Sequence, residues 1–198
     1  MQHILAFSCS AIIVRHWFEI NLDDASMEHG ARIEVRELAA QPRRGTESAA
    51  QLVTADRPLW RADLFDRLAD RPGSFAAAHY HPRFDGNEPC NRVWDPQLTA
   101  SPWQWLGTQL ARLGATAGSD GWQIDPADGA DISRMAGEVV ELARRFSPDR
   151  CTSASQCYSL TRDAEESVRL MIEYLRRAEL LDAAWVARWR LAADYPCK

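Results

Sequence analysis

From Ile12 to Leu22 the side chains alternate along the chain. Ile12, Val14, His16, Phe18, Ile20 and Leu22 fall on one side of an extended backbone, and Ile13, Arg15, Trp17, Glu19 and Asn21 on the other. Successive strand residues point to opposite faces, so the pattern predicts a half-buried strand with its even-numbered side inward. Asp23-Asp24 and His29-Gly30 bracket a connection. Ala31 to Leu38 then predicts a second strand, with Ile33 and Val35 inward and Arg32, Glu34 and Arg36 outward, the two forming an antiparallel hairpin. Arg15, Glu19, Arg32, Glu34 and Arg36 are expected to make cross-strand ion pairs on an open sheet face.

Further short strands are expected at Gln51–Ala55, Leu59–Phe65 and Phe75–His81. Asp70-Arg71-Pro72-Gly73 supplies a turn before the last of these, proline presetting one torsion and glycine accepting a positive one. Residues 83–100 are irregular in pattern. Beyond them the spacing becomes helical. Ser101-Pro102 reads as a cap with proline at the first helical position, followed by Trp103, Leu106, Leu110 and Leu113. Asp131 is expected to cap a second helix carrying Ile132, Met135, Val139, Leu142 and Phe146. The stretch Arg162–Tyr195, free of Gly and Pro, predicts one long helix or two. The expectation is a single α+β domain over residues 1–198: an antiparallel sheet of four or five strands from about 4–82, packed against three or four helices from about 101–195.

A chain of 198 residues can bury a stable core without disulfides or a structural metal, so a metal would serve chemistry. The net charge of −5 excludes a non-specific nucleic-acid binder, which needs a basic face to displace counterions. Ile4 to Val14 is apolar but shorter than the ~20 residues that span a bilayer, and no positive charge precedes it. No membrane association is expected. Cys9, Cys90, Cys151, Cys157 and Cys197 are odd in number and match no zinc spacing, which reads as reduced thiols and a cytoplasmic location. The eight tryptophans are expected mainly as packing anchors between sheet and helices.

The chemistry-bearing segment is His79-Tyr80-His81, with Arg83, Asp85, Glu88 and Arg92 after it. Two histidines at alternate strand positions face the same way, and neutral imidazole suits a divalent transition metal. Asp85 or Glu88 could return a carboxylate to the strand end. His16, on the inward side of the first strand, could supply a third nitrogen. The expected metal ligands are thus His79, His81, Asp85 and His16. Without a metal, His79 and His81 beside Asp85 and Glu88 could divide acid and base roles. Arg83 or Arg92 would hold an anionic substrate. The alternative for each histidine is plain: H-x-H can end a strand with both rings bonded to backbone, and His16 can be a satisfied core residue.

Gly73, His79, His81 and Asp85 together resemble part of the first cupin motif, which implies a metal held by the histidines and an acid. Aspartate stands where cupins usually carry glutamate, a second motif is absent, and the chain downstream is helical. Across Pro58–Leu106, the segments Trp60-Arg61-Ala62-Asp63-Leu64-Phe65, His79-Tyr80-His81-Pro82 and Arg92-Val93-Trp94-Asp95-Pro96 resemble an uncharacterised family of GC-rich Gram-positive bacteria. That resemblance implies no activity and assigns no residue a role. Two functions are therefore expected to compete. One is a small-molecule enzyme with a histidine and carboxylate site. The other is a non-catalytic module that binds a protein partner, such as an immunity or regulatory factor.

Overall fold

The computed structural model describes residues 2–20, 26–40, 53–113 and 124–150. Its strands are β1 (Gln2–Ala6), β2 (Ser10–Ile20), β3 (Met27–Ala40), β4 (Val53–Arg67), β5 (His79–His81), β6 (Phe84–Asp85) and β7 (Glu88–Pro89). Its helices are α1 (Pro96–Ala100), α2 (Pro102–Leu113) and α3 (Pro126–Arg144), followed by a 3₁₀ turn at Pro148–Arg150. β1 to β5 form one antiparallel sheet in chain order, and β6 pairs with β7 as a separate ribbon. The α+β class is as expected, with strands first and helices after. Among the described residues no helix is long and apolar enough to cross a membrane. The stretch Arg162–Tyr195 and Cys151, Cys157 and Cys197 lie outside the described residues.

Several boundaries differ from the sequence pattern for identifiable reasons. The apolar stretch Ile4–Val14 is a hairpin, closed by Phe7 N–H donating to Ser10 O at 2.8 Å. From Val53 on, the two strands expected between Gln51 and Phe65 are one strand, β4, Gln51 and Leu52 lying outside the described residues. Pro58, which has no N–H for the ladder, sits where the pairing with β3 shifts register around Arg36. The strand expected from Phe75 shrinks to His79–His81 because Asp66 captures the preceding turn. Its carboxylate accepts from Gly73 N at 2.5 Å, from Ser74 Oγ at 3.1 Å and from Phe75 N. Phe75 takes a positive φ of 52° there, with its ring edge-on to Trp103.

α3 starts at Pro126 instead of after Asp131. Asp125 is the cap, accepting from Ala127 N at 2.9 Å, and Pro126 fills the first turn where its missing N–H costs nothing. Residues 96–100, expected to be irregular, form α1 behind Asp95, which accepts from Gln97 N at 2.9 Å. The same carboxylate accepts from Trp105 Nε1 at 2.8 Å. Asp128 ties α3 to the first hairpin, accepting from Ser8 N at 3.0 Å, Cys9 N at 2.8 Å and Ser10 Oγ at 2.8 Å.

The sheet register sorts the side chains into two sets. Ile12, Val14, Ile33, Val35, Trp60, Ala62 and Leu64 share one face and pack against Leu106, Leu110, Ile132 and Val139 of the helices. Trp60 and Trp105 stack across this layer with centroids 6.2 Å apart, as expected of packing anchors. The other face carries charge: Arg15 and Glu19 on β2, Arg32 and Glu34 on β3, and Arg61 and Asp63 on β4. This face was expected to be open. The ion pairs are present, but Arg32, Glu34 and Asp63 are 4%, 3% and 0% exposed. At Gly30 (φ 150°) a Cβ would stand 2.2 Å from Leu64 O and 3.0 Å from Pro148 Cγ, so only glycine lets these segments lie together.

Candidate functional site

The antiparallel pairing of β4 with β5 sets Arg61 opposite His81 and Asp63 opposite His79. Residues 61, 63, 79 and 81 therefore share the charged face, and Arg32 joins them from β3, opposite Asp63. Both imidazoles point at one carboxylate oxygen. Asp63 Oδ2 lies 3.3 Å from His79 Nε2 and 3.8 Å from His81 Nε2. Arg32 grips the carboxylate with two bonds, Nε to Oδ1 at 2.6 Å and NH2 to Oδ2 at 3.1 Å. Arg61 Nε lies 3.1 Å from Oδ2.

The far nitrogens of the two rings fix their protonation pattern. His79 Nδ1 is 2.8 Å from Ala77 O, and His81 Nδ1 is 2.6 Å from Cys90 O. A carbonyl only accepts, so each Nδ1 carries the proton and donates. In the neutral His81 ring the Nε2 lone pair then faces Asp63, while His79 Nε2 is a hydrogen-bond partner of that carboxylate. Burial pushes the His81 imidazole down to about 4, with the nearby Arg61 charge adding to the effect, so this ring is neutral at pH 7. For Asp63, burial acts to raise the carboxyl, but Arg32, the hydrogen bond from His79 and Arg61 outweigh it. They hold the group far below the usual carboxylate range. One potential ligand atom from each of Asp63, His79 and His81 thus converges, all within 4.8 Å of one another.

Aromatic rings surround the cluster. Phe65 meets His79 edge-on with centroids 6.1 Å apart, Trp94 lies 5.4 Å from His79, and Phe84 lies 6.3 Å from His81. The segment around Trp94 folds over the end of the histidine strand, held by paired backbone bonds between Tyr80 and Val93.

The structure brings together His79 and His81 but not the other expected residues. His16 lies on the opposite, helix-facing side, buried beside His29 with ring centroids 5.8 Å apart, so it cannot reach the pair. Asp85 and Glu88 form the exposed ribbon β6–β7 and stand outside the donor group. Arg92 is committed to Glu28 at 2.9 Å and Glu19 at 2.8 Å. Arg83 is exposed. The carboxylate that does converge, Asp63, comes from the neighbouring strand. Its signal was the alternation of Trp60, Ala62 and Leu64 with Arg61 and Asp63, a second strand whose charged side could meet the histidines. Comparison with protein-family models, with curated proteins and with solved structures finds no match.

Proposed function

We propose that this protein is a metal-dependent small-molecule enzyme whose centre is Asp63, His79 and His81. The observation that carries this reading is the direction of the two rings: both Nδ1 atoms are spent on backbone carbonyls, leaving both Nε2 atoms aimed at the same carboxylate oxygen. Backbone carbonyls in that position are the usual outer partners of metal-bound histidine. Ligand bonds of about 2.0–2.2 Å around a tetrahedral ion put neighbouring donors roughly 3.3–3.6 Å apart, and the carboxylate–imidazole distances are 3.3 and 3.8 Å. Two imidazoles and one carboxylate suit Zn²⁺, Fe²⁺ or Mn²⁺ and leave coordination positions for water or substrate. A metal there would polarise a bound oxygen or make a hydroxide available near neutral pH.

One observation favours a second reading. Asp63, His79 and His81 are only 0%, 1% and 3% exposed. A centre so enclosed also fits a non-catalytic protein in which the network serves stability and another surface meets a partner.

Metal analysis of the purified protein with two variants separates the readings. Asparagine reproduces a donor near the Nδ1 position and lacks Nε2, so His79→Asn and His81→Asn keep the inner bond and delete the ligand atom. Metal should bind the parent protein with one-to-one stoichiometry and be lost from both variants, while their circular dichroism is unchanged. A parent protein that takes up no Zn²⁺, Fe²⁺ or Mn²⁺ leaves the non-catalytic reading in possession.

A further inference from the structure

The charges around Asp63 do not balance once a metal is present. Arg32 and Arg61 both lean on the single negative charge of Asp63, and the Nδ1–H imidazoles contribute none when neutral. A divalent ion would bring the local sum to three positive charges in a buried place. Other carboxylates on this face are already engaged. Glu34 pairs with Arg15 and Arg36, Glu19 with Arg32 and Arg92, and Glu28 with Arg92. Uncompensated buried charge costs several kcal/mol per ion, so a loaded centre draws an anion from solution.

Resting on the metal reading above, we infer that the loaded centre takes a small oxyanion, a carboxylate or a phosphate, and that Arg61 anchors it. Arg61 is placed for this where its neighbours are not. Its side chain is 14% exposed, against 5% for Arg32, 1% for His79 and 4% for His81, so it is the cation of the cluster nearest solvent. Its Nε approaches Asp63 at 3.1 Å without hydrogen-bond alignment. Among the described residues its terminal nitrogens make no hydrogen bond, in contrast to the two-bond grip of Arg32. The Phe84 ring lies 5.8 Å from the guanidinium carbon and limits where the fork can turn. A planar fork with two free N–H edges beside a metal suits a bidentate oxyanion. Arg61 thus holds the place that the sequence pattern assigned to Arg83 or Arg92.

Cobalt(II) serves as a coloured probe. The cobalt-loaded protein is titrated separately with acetate and with inorganic phosphate, following the visible absorption of the ion. The same titrations are run on the Arg61→Gln variant, with metal content and circular dichroism measured in parallel. The spectrum of the parent protein should change to a saturable limit with at least one of the two anions. The anion that binds more tightly identifies the substrate class. Arg61→Gln should keep full cobalt stoichiometry and lose roughly tenfold or more in anion affinity, the worth of a charge-assisted hydrogen bond. Full cobalt uptake with no spectral response, or an unchanged anion affinity in Arg61→Gln, overturns this inference and leaves the metal reading standing. Failure of the parent protein to take up cobalt overturns both.

Discussion

Replacing Asp63 by asparagine tests the charged face most directly. The substitution keeps the shape of the side chain and its accepting oxygen but deletes the charge on which Arg32, Arg61 and His79 converge. Breaking a buried ion pair from one side costs about 3–5 kcal/mol, because the remaining ion stays buried without its counter-charge. Arg32 keeps a second carboxylate, Glu19 at 3.0 Å, so the lower end applies. The expected loss is about 3 kcal/mol, or roughly 6–12 °C in melting temperature for a chain of this size. The sign with pH follows from the depressed carboxyl. The contribution of Asp63 is present above its unfolded value of 3.8 and is lost as the pH falls below it, toward the folded value. The gap between the parent protein and Asp63→Asn should therefore be widest at neutral pH and close in acid. Urea unfolding followed by tryptophan fluorescence and by circular dichroism measures it, coincident curves establishing a single transition. A loss under about 1 kcal/mol at pH 7 would refute the argument that this pair is buried and mutually dependent. The paired substitution Arg32→Met with Asp63→Leu should recover part of the loss, since it removes that pair together while Arg61 and Glu19 each lose one partner.

Asp128→Ala removes the acceptor for three donors of the first hairpin and should cost about 2–4 kcal/mol in urea unfolding. Asp125→Ala, which loses only a helix cap, should cost about 1 kcal/mol. His16 is pushed down to about 4 by burial and by the neighbouring His29, from an ordinary 6.5. A histidine kept neutral by the fold gives stability that is complete above the unfolded value and is lost as the pH falls from 6.5 toward 4, up to about 3 kcal/mol. His16→Leu should flatten that part of the stability–pH curve, and an unchanged slope would count against the assignment.

Much of the architecture could be read from alternation alone. The even and odd sets of β2, the Ile33 and Val35 positions of β3 and the shared direction of His79 and His81 all follow from a period of two, and all are found. What alternation does not carry is which strands are neighbours and in what register. Asp63 and His79 are directly opposed only because the turn after β4 is wound around Asp66, whose hydrogen bonds to residues 73–75 set where β5 begins. A sequence pattern offered the nearer acids, Asp85 and Glu88, and these are spent on a ribbon facing outward. His16 was placed correctly on the apolar side of its strand. The histidine pair proved to face the other way, which separates the two by the thickness of the sheet. α3 begins at its Asp125 cap, ahead of the expected Asp131, because the apolar spacing that marks the helix starts only at Ile132.

The two sides of this sheet differ in chemical kind and the middle of each is buried, and that has a consequence for how the chain finds its fold. Sliding β3 by one position against its neighbours would turn Arg32 and Glu34 toward the aliphatic helices and Ile33 toward the arginines. Every contact would be wrong on both sides at once, so a misaligned pairing is penalised on two faces where a half-wet sheet is penalised on one. Deleting a single residue within β3 amounts to turning half of that strand inside out.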